Sequence, residues 1–493
     1  MPRFILCVLL VALLAFLTVA CNSSDDEASA VDGDADSVID GDEELAEAEA
    51  EAEAEAEAEE ALEMPIALCN APAYELLPAD QVGHLVEYEN FLLWDLSAKS
   101  VDNLLGQAGY TGLSPVPYGA TLYRYRYTTQ DRGQLVEATA ILGVPRSEEA
   151  ITGPMDIVLQ PHGTSGFSDP CAPSRDELEG PALAGLMTSL GFVSFSPDYI
   201  GMNGFGDAST APHAYLVGEQ VAFASWDAVR AGLELFEELD TGIEVTSRVV
   251  PWGGSQGGHS AFFIDRYQPF YAPEFEIPAL LPLIAPIDLF PLMVYAAEDI
   301  RPGTGNLAVM LAANNLWYGE QADLIDIFTN EEPYFFADKI YDYMYPKEEC
   351  EIENIEGDSV LDLYTEKFVN DVMAEEWEAL EPWSCYLREG SLNKSSIPFV
   401  RSVPTLVSYG ELDTLVYTPP MRDGILDLCE MGYQIEYIEC QGAKHTQGAL
   451  WSMPEQYAWL KDRLAGVPMD SEKICVISEP VCCSASDEGA CWE

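Results

Sequence analysis

Residues 249–263 read VVPWGGSQGGHSAFF, an apolar stretch that runs into four glycines around a single serine. The residues before Gly253 predict a buried strand, and those after Ser255 predict a helix. Gly253 and Gly257 fit a sharp turn between the two elements, because such a turn strains the serine backbone and leaves no room for neighbouring side chains. Ser255 would then stand as a nucleophile at the carboxyl end of a strand, on a turn called a nucleophile elbow. The alternative is a glycine-rich bend in which the serine only caps a helix.

Short apolar runs on both sides of this stretch predict the strands of a central sheet. They lie at 157–159, 191–197, 248–252, 279–286, 404–410 and 433–439. Residues 121–145 alternate in polarity around Asp131-Arg132-Gly133 and predict a β-hairpin. Apolar residues at helical spacing predict helices at 221–239 and 455–464. Strands that alternate with helices are typical of an α/β fold, here a mostly parallel central sheet flanked by helices.

One long interval interrupts this alternation. From about 290 to 395 there is no strand pattern, and helix-like pieces dense in aromatic residues follow one another. An insertion of this length between two strands predicts a helical cap. Its aromatic side chains either line a groove for an acyl chain or form the core of the cap itself, and the sequence leaves this choice open.

The chain begins with a pattern typical of export. Arg3 precedes an unbroken apolar run over 4–17, and small residues then lead to Cys21, so residues 1–21 predict a signal peptide. Its last four residues resemble a bacterial lipobox, which predicts lipidation of Cys21 and a lipoprotein of the bacterial cell envelope or surface. The alternatives are ordinary cleavage and secretion, or an uncleaved membrane anchor.

Acidic residues dominate the composition, with 85 Asp and Glu against 22 Lys and Arg and a net charge of −63. The EAEA repeat at 47–59 places like charges four residues apart, which opposes a helix. Residues 22–64 therefore predict a disordered acidic tether, followed by a folded domain over 69–466. Because nucleic-acid phosphates would be repelled by this charge, no nucleic-acid partner is expected.

Cysteines are expected to form disulfides. Twelve are present, and ten remain when Cys7 and Cys21 of the signal peptide are set aside, an even number that favours disulfides in an exported chain. Cys429 with Cys440 is the favoured pair because the two flank one short connection, and Cys350 with Cys385 would staple the insertion. The tail over 467–493 is expected to form a small knot of its own through Cys475, Cys482, Cys483 and Cys491. Zinc is disfavoured there, because the tail has neither histidine nor a C-x-x-C motif.

A nucleophilic serine needs a base that takes its proton. The chain has five histidines, which are His84, His162, His213, His259 and His445. His445 lies in IECQGAKHTQG, just after the last predicted strand, and is the predicted base. His259 lies one helical turn beyond Ser255 and is expected to pack beneath the elbow, whereas His213 is expected to have a loop or cap role.

The base in turn needs a carboxylate that orients it. Asp413 follows the predicted strand at 404–410 and is the predicted acid, with Glu411 as the alternative. The resulting chain order of serine, acid and histidine is that of one large class of hydrolases.

An oxyanion hole needs two backbone N–H donors. The first is expected at Gln256, directly after the serine. The second is expected at Gly163 or Thr164, in the loop after the strand at 157–159, for which the alternative is a surface turn. Asp198 and Tyr199 are expected to brace the loops around the site.

These segments together resemble the secretory lipase family of the α/β-hydrolases over roughly residues 75 to 465. The resemblance is carried by VLQPHGTSG, SFSPDYIGMNGFG, SWDAVRAG, WGGSQGGHSA, YAPEFEIPALLPLIAPIDL and the segments around Asp413 and His445. It implies an α/β-hydrolase fold with an inserted helical cap and hydrolysis of carboxylic esters without a cofactor or metal. It also implies Ser255 as nucleophile, Asp413 as acid, His445 as base and Gln256 as oxyanion donor.

The favoured function is therefore an extracytoplasmic serine esterase or lipase that forms an acyl-enzyme intermediate. Its expected partners are a small-molecule or lipid ester substrate and the membrane that holds the lipid anchor, with no obligate protein partner. A serine peptidase of the same fold and a non-catalytic, surface-tethered binding protein are the alternatives. The choice between lipase and short-chain esterase stays open at this point.

Overall fold

The computed structural model describes residues 63–177, 180–332, 335–346, 348–350, 359–487 and 489–491. The predicted signal peptide, the predicted lipidation site Cys21 and the tether up to residue 62 lie outside the described residues. Within them, no helix combines the length and the apolar character needed to span a membrane.

A central sheet forms the middle layer of the molecule. The described residues contain nine strands: β1 (Leu85–Leu96), β2 (Gly119–Asp131), β3 (Gln134–Arg146), β4 (Met155–Leu159), β5 (Val193–Pro197), β6 (Val245–Gly254), β7 (Leu281–Leu283), β8 (Pro404–Gly410) and β9 (Gln434–Cys440). The strand order is β1-β2-β3-β5-β4-β6-β7, and β8 and β9 pair with each other. A parallel bridge between Leu280 and Thr405 continues the sheet from β7 to β8.

The sheet is mixed, because its first strands are antiparallel and the others run parallel. Strand β1 pairs antiparallel with β2, β2 with β3 and β3 with β5. From β5 through β4, β6 and β7, and again between β8 and β9, the pairing is parallel. The predicted α/β fold is confirmed, with antiparallel strands at one side of the parallel sheet.

The hairpin of β2 and β3 pairs in register from Gly119 opposite Arg146 to Asp131 opposite Gln134. Its two-residue turn, Arg132-Gly133, has φ angles of 49° and 70°, as a tight hairpin turn requires. A Cβ atom at Gly133 would lie 1.9 Å from a backbone oxygen of Glu75, so only glycine fits there.

Helices pack on both faces of this sheet. The described residues form twelve: α1 (Ala98–Gln107), α2 (Gly180–Ser189), α3 (Gly218–Glu238), α4 (Gln256–Tyr271), α5 (Leu289–Glu298), α6 (Thr304–Trp317), α7 (Phe336–Met344), α8 (Glu366–Met373), α9 (Trp383–Gly390), α10 (Thr418–Glu430), α11 (His445–Leu450) and α12 (Met453–Leu464). Helix α3 packs against α4, and the fully buried Trp226 of α3 donates a hydrogen bond to the backbone oxygen of Ile264 in α4 at 3.1 Å.

Residues 284–403 lie between β7 and β8 and contain helices α5 to α9, and we call this stretch the cap segment. Many of its aromatic side chains are buried against one another; among them are Trp317, Tyr318, Phe328, Phe336, Tyr364, Phe368, Trp383 and Tyr386. Tyr318 stacks on Tyr386 with the ring centroids 5.1 Å apart. These aromatic residues therefore form a core within the insertion.

The predicted disulfide between Cys429 and Cys440 is wrong. Cys429 lies at the end of α10 and bonds to Cys475, whereas Cys440 ends β9 and bonds to Cys483. Cys429 lies before β9, whereas Cys440 is the last of the seven residues of β9, and an extended strand of that length spans roughly 20 Å. A disulfide needs Cα atoms within about 7 Å, so the short connection in sequence is a long one in space.

The predicted pairing of Cys350 with Cys385 is wrong as well. Cys385 of α9 bonds to Cys69 near the beginning of the described chain, and Cys350 bonds to Cys171 in the segment that follows β4. Both disulfides thus connect the cap segment to the sheet domain, and neither closes a loop within the insertion.

The tail is also not a separate knot, because only the bond between Cys482 and Cys491 lies within it. The N–H of Val481 donates to Glu439 at 2.8 Å, and the N–H of Gln441 donates to Val481 at 2.8 Å. The tail therefore adds a short bridge beside β9 and covers the edge of the sheet, a position where unpaired backbone groups invite aggregation.

Replacing Cys440 and Cys483 together with alanine should destabilise the fold more than replacing Cys482 and Cys491 together. The first bond closes a span of 43 residues and holds the tail on β9, whereas the second closes a span of 9 residues. The expected loss for the first pair is roughly 2–5 kcal/mol in the free energy of unfolding. Guanidinium denaturation under non-reducing conditions measures both variants, and equal midpoints would contradict a structural role of the tail.

Candidate active site

Ser255 lies on a strained turn between β6 and α4, with φ 59° and ψ −120°. Its N–H donates to the backbone oxygen of Leu283 at 2.9 Å, which ties the turn to β7. A Cβ at Gly253 would lie 2.6 Å from the backbone oxygen of Pro161, and one at Gly257 would lie 2.1 Å from the same oxygen. Both positions thus require glycine, because the loop after β4 passes directly over the turn.

The structure brings together the three side chains that are distant in sequence. His445 Nε2 lies 2.9 Å from Ser255 Oγ, and His445 Nδ1 lies 2.6 Å from Asp413 Oδ2. The other carboxylate oxygen of Asp413 accepts the N–H groups of Leu415 and Val416 at 2.9 and 3.1 Å. Because Asp413 only accepts, Nδ1 of the neutral imidazole carries the hydrogen, and Nε2 accepts the serine O–H.

Close backbone packing sets the approach of His445 to Asp413. A Cβ at Gly410 would lie 2.4 Å from the backbone oxygen of Lys444, and one at Gly448 would lie 2.4 Å from the backbone nitrogen of Gly410. Glu411, the alternative acid, accepts the N–H of Gly442 at 2.8 Å. It therefore holds the turn before the histidine, while Asp413 contacts the imidazole.

The residues expected to form the oxyanion hole surround the serine. Gln256 is the first residue of α4, where a backbone N–H has no acceptor within the helix and points along the positive end of its dipole. A Cβ at Gly163 would lie 3.2 Å from the backbone oxygen of Gly254, so the loop after β4 runs beside the elbow. The hydroxyl of Thr164, the next residue, is 2.8 Å from the Tyr215 hydroxyl.

His213, expected only to have a loop or cap role, holds the side chain of Gln256. Its Nδ1 lies 3.2 Å from the backbone oxygen of Ile200, and its Nε2 lies 2.8 Å from Gln256 Nε2. A carbonyl can only accept, so Nδ1 carries the hydrogen and Nε2 accepts from the Gln256 amide. Burial lowers the pKa of His213 to about 3, which keeps the ring neutral. No pattern in the sequence indicated this contact.

Tyr199 connects His213 to the other side of the site. Its ring stacks on His213 at a centroid distance of 5.6 Å, and its hydroxyl donates to the backbone oxygen of His162 at 2.9 Å. The neighbouring Asp198 is fully buried and accepts from the Ser174 N–H at 2.9 Å and the Thr139 hydroxyl at 2.6 Å. Burial raises the pKa of Asp198 to about 7. Both residues brace loops, as expected from the sequence.

The remaining histidines do not contact Ser255 Oγ. His259 is buried beneath the elbow, where its Nε2 lies 2.8 Å from the Gly390 oxygen of the cap segment. Burial lowers its pKa to about 4, and burial has the same effect on His162. His84 is exposed and lies 2.9 Å from Glu234. His445 is therefore the histidine whose side chain bonds to the serine.

A narrow cavity of about 40 Å³ opens above Ser255 and Gln256. Apolar residues of the cap segment and of the loop after Asp413 form most of its wall; they include Leu289, Leu292, Leu307, Leu415 and Val416. Among the described residues, no group of three or more His, Cys, Asp or Glu side chains could hold a metal ion. This arrangement supports attack by Ser255 Oγ on a carbonyl carbon while His445 Nε2 accepts the serine proton.

A family model described as secretory lipase matches residues 178–285 and 305–472, which include Ser255, Asp413 and His445. Lipase 2 and Lipase 6 of Candida albicans are 23% and 24% identical to this chain over 321 and 326 residues. Each alignment covers 60% of this chain and 62% or 63% of the relative. The chain therefore spans less than two thirds of the length of these relatives.

Solved structures of similar fold include the rice cell wall degrading esterase LipA from Xanthomonas oryzae, with a TM-score of 0.63 and 18% identity. That match covers 79% of this chain and 100% of the esterase. Candida antarctica lipase A has a TM-score of 0.59 at 14% identity, over 81% of this chain and 85% of the lipase. The chain shares the α/β-hydrolase fold of these enzymes.

Replacing His213 with glutamine should cost less stability at pH 5 than at pH 8. The folded-state pKa of His213 is lowered to about 3, while an unfolded histidine titrates near about 6.5, so the unfolded chain binds the extra proton between these values. The stability that depends on neutral His213 is thus present above about pH 6.5 and is lost as the pH falls toward 3. Urea denaturation of wild type and variant at both pH values measures the difference.

The His84→Gln variant is the control of opposite sign. The hydrogen bond that His84 Nδ1 donates to the Glu234 carboxylate raises the pKa of His84, so its stabilising contribution is present at low pH and is lost as the pH rises through the folded-state pKa. If the loss in free energy of unfolding caused by His213→Gln were larger at pH 5 than at pH 8, this would contradict a buried, neutral imidazole.

Proposed function

The chain belongs to the secretory lipase family, and from that premise we propose that it hydrolyses carboxylic esters with Ser255 as nucleophile, His445 as base and Asp413 as acid. One observation carries the proposal: an unbroken path of hydrogen bonds runs from Ser255 Oγ through His445 to Asp413, with distances of 2.9 and 2.6 Å. Asp413 is buried and has its second oxygen occupied by backbone N–H groups, so it can orient the imidazole and stabilise its protonated form.

In the first half of the proposed reaction, Ser255 Oγ forms a bond to the ester carbonyl carbon while His445 Nε2 takes the serine proton. The carbonyl oxygen becomes an oxyanion that accepts from the Gln256 N–H and from the N–H of Gly163 or Thr164. The tetrahedral intermediate then breaks its bond to the alcohol oxygen. His445 gives its proton to that oxygen, so a neutral alcohol leaves and an acyl-serine remains.

In the second half, water replaces the alcohol. His445 removes one proton from the water as its oxygen bonds to the acyl carbon, and the same two N–H donors stabilise the new oxyanion. The bond to Ser255 Oγ breaks, the serine recovers the proton from His445, and the carboxylic acid leaves. Apart from the ester and one water molecule, both halves use only groups of this chain.

The surroundings of the domain are part of the proposal. Five disulfides connect the described residues, as suits an oxidising, extracellular compartment. We propose that residues 1–21 direct export, that Cys21 is lipidated in a bacterial envelope, and that residues 22–64 hold the hydrolase domain of 69–466 away from the membrane. In this arrangement the insertion at about 290–395 acts as a cap.

Ser255→Ala should lower ester hydrolysis by about six orders of magnitude and abolish labelling of the chain by a fluorophosphonate. The reason is that both reactions form a bond to Ser255 Oγ. A p-nitrophenyl butyrate assay and mass spectrometry of the labelled protein measure the two effects. Hydrolysis or labelling that survives the substitution would overturn the proposal.

Asp413→Asn should lower kcat by about 10⁴, while Glu411→Gln should leave it within a few-fold of wild type. The two carboxylates lie two residues apart, but only Asp413 contacts the imidazole, and glutamine keeps an oxygen for the Gly442 N–H. Steady-state kinetics with the butyrate ester measures both variants. A larger effect at Glu411 would assign the acid to that residue.

A further inference from the structure

A second, larger cavity adjoins the narrow one above Ser255. It has a volume of about 340 Å³ and lies between the loop after β4, at Gly166 and Phe167, and helices α6 and α7 of the cap segment. Two residues, Arg301 and Asn306, line both cavities. They therefore stand where a molecule bound at the serine would reach the larger space.

Arg301 is the one charged residue in the wall of either cavity among the described residues. It lies between α5 and α6, in the stretch from 286 to 304 that separates the two segments matched by the family model. The chain has only 22 basic residues against 85 acidic ones. A basic side chain in this wall is thus unusual for this composition.

The position of Arg301 is well defined. The backbone N–H of Arg301 donates to the hydroxyl of Thr304 at 2.9 Å, and the backbone oxygen of Arg301 accepts from the backbone N–H of Thr304 at 3.0 Å. The guanidinium lies over the Tyr295 ring, 4.8 Å from its centroid, and Tyr295 stacks on Tyr417 at 4.2 Å. A planar cation held on an aromatic face loses little further freedom when it binds a ligand.

The Arg301 guanidinium lacks hydrogen-bond acceptors for part of its N–H groups. Its Nε atom is buried and has no hydrogen-bond partner among the described residues. Its ion-pair partner, Glu298, lies 3.7 Å away, and the Glu298 side chain is about half exposed. A buried donor without a partner is costly, so an acceptor on a bound molecule would gain a hydrogen bond for which the protein has already oriented the donor.

A carboxylate fits this donor set best. The guanidinium fork matches a planar carboxylate with two parallel hydrogen bonds, and each bond is strengthened by charge. The acidic body repels anions at long range, but this repulsion is screened beyond about 8 Å at physiological salt. A direct contact with Arg301 is therefore the stronger effect inside the cavity.

We propose that Arg301 is a specificity-determining residue that binds a carboxylate of the ester substrate, so that the preferred substrates are esters with a free carboxylate on the acyl or the alcohol side. Asn306 stands beside it in both walls and has its amide nitrogen 3.5 Å from the Tyr215 hydroxyl. The inference rests on the proposed ester hydrolysis at Ser255.

The test compares matched esters with and without the charge. For the acyl side, p-nitrophenyl hemiglutarate is compared with p-nitrophenyl butyrate; for the alcohol side, 4-(butyryloxy)benzoate is compared with its methyl ester. Arg301→Gln should lower kcat/KM for the charged member of one pair by roughly 10- to 100-fold and change its neutral partner by less than threefold. Arg301→Lys should retain part of the preference.

A second ion pair in the cap segment supplies matched controls. Arg388 lies 3.5 Å from Glu381, and neither residue lines the two cavities. Arg388→Gln makes the same change in net charge as Arg301→Gln. In both ester pairs it should leave the ratio of kcat/KM between the charged and the neutral ester unchanged. Glu298→Gln should raise the preference for the charged ester because it removes the competing carboxylate, whereas Glu381→Gln should not.

The outcomes separate the two proposals. If wild type hydrolyses the neutral esters but Arg301→Gln lowers both members of each pair equally, Arg301 has only a structural role and the inference is overturned, while the proposed function stands. If wild type hydrolyses none of the four esters and Ser255 is not labelled by a fluorophosphonate, both fail. Glutarate as a competitive inhibitor gives an independent reading, since its inhibition constant should rise in Arg301→Gln and not in Arg388→Gln.

Discussion

The site depends on one close backbone contact, in which the loop after β4 crosses the turn that carries Ser255. The backbone oxygen of Pro161 occupies the space that a side chain at either Gly253 or Gly257 would need. This contact forces glycine on both sides of the serine, and it brings Gly163 next to the elbow two residues later. Ser255, the proposed nucleophile, and the loop expected to stabilise the oxyanion are thus positioned by the same packing.

A second layer of neutral side chains supports this contact. His213 holds the Gln256 side chain, stacks on Tyr199 and through it reaches the backbone of His162. Burial lowers the pKa values of His213 and His162 to about 3 and 4, so neither ring is charged at neutral pH. The polar groups around Ser255 are therefore fixed dipoles, and they add no positive charge that would compete with His445 for the Asp413 carboxylate.

Local pattern was enough to predict most of the sheet, but not the contacts between distant segments. The runs before Ser255 and Asp413 are buried strands because they are short, apolar and followed by turn residues. Strand β1 was not predicted: its register with β2 shifts twice, and several of its residues are exposed, so its polarity does not alternate cleanly. The predicted disulfides are wrong for a related reason, since Cys429 and Cys440 are near in sequence but lie at opposite ends of the connection that contains β9, of which Cys440 is the last residue. The position of His213 against Gln256 likewise follows only from the fold.

The two disulfides of the cap segment explain how substrate specificity can lie on an insertion. The bond between Cys171 and Cys350 joins the cap segment to the chain just beyond Gly166, which lines the larger cavity, and the bond between Cys69 and Cys385 fastens α9 on another side. The backbone oxygen of Gly390 in the cap segment also lies 2.8 Å from Nε2 of His259, which is buried beneath the elbow. The cap segment is therefore connected to the rest of the domain at several points. A residue such as Arg301 therefore keeps a defined place in the wall shared with Ser255. The part of the chain proposed to react, at Ser255, and the part proposed to select, at Arg301, thereby form the wall of one cavity.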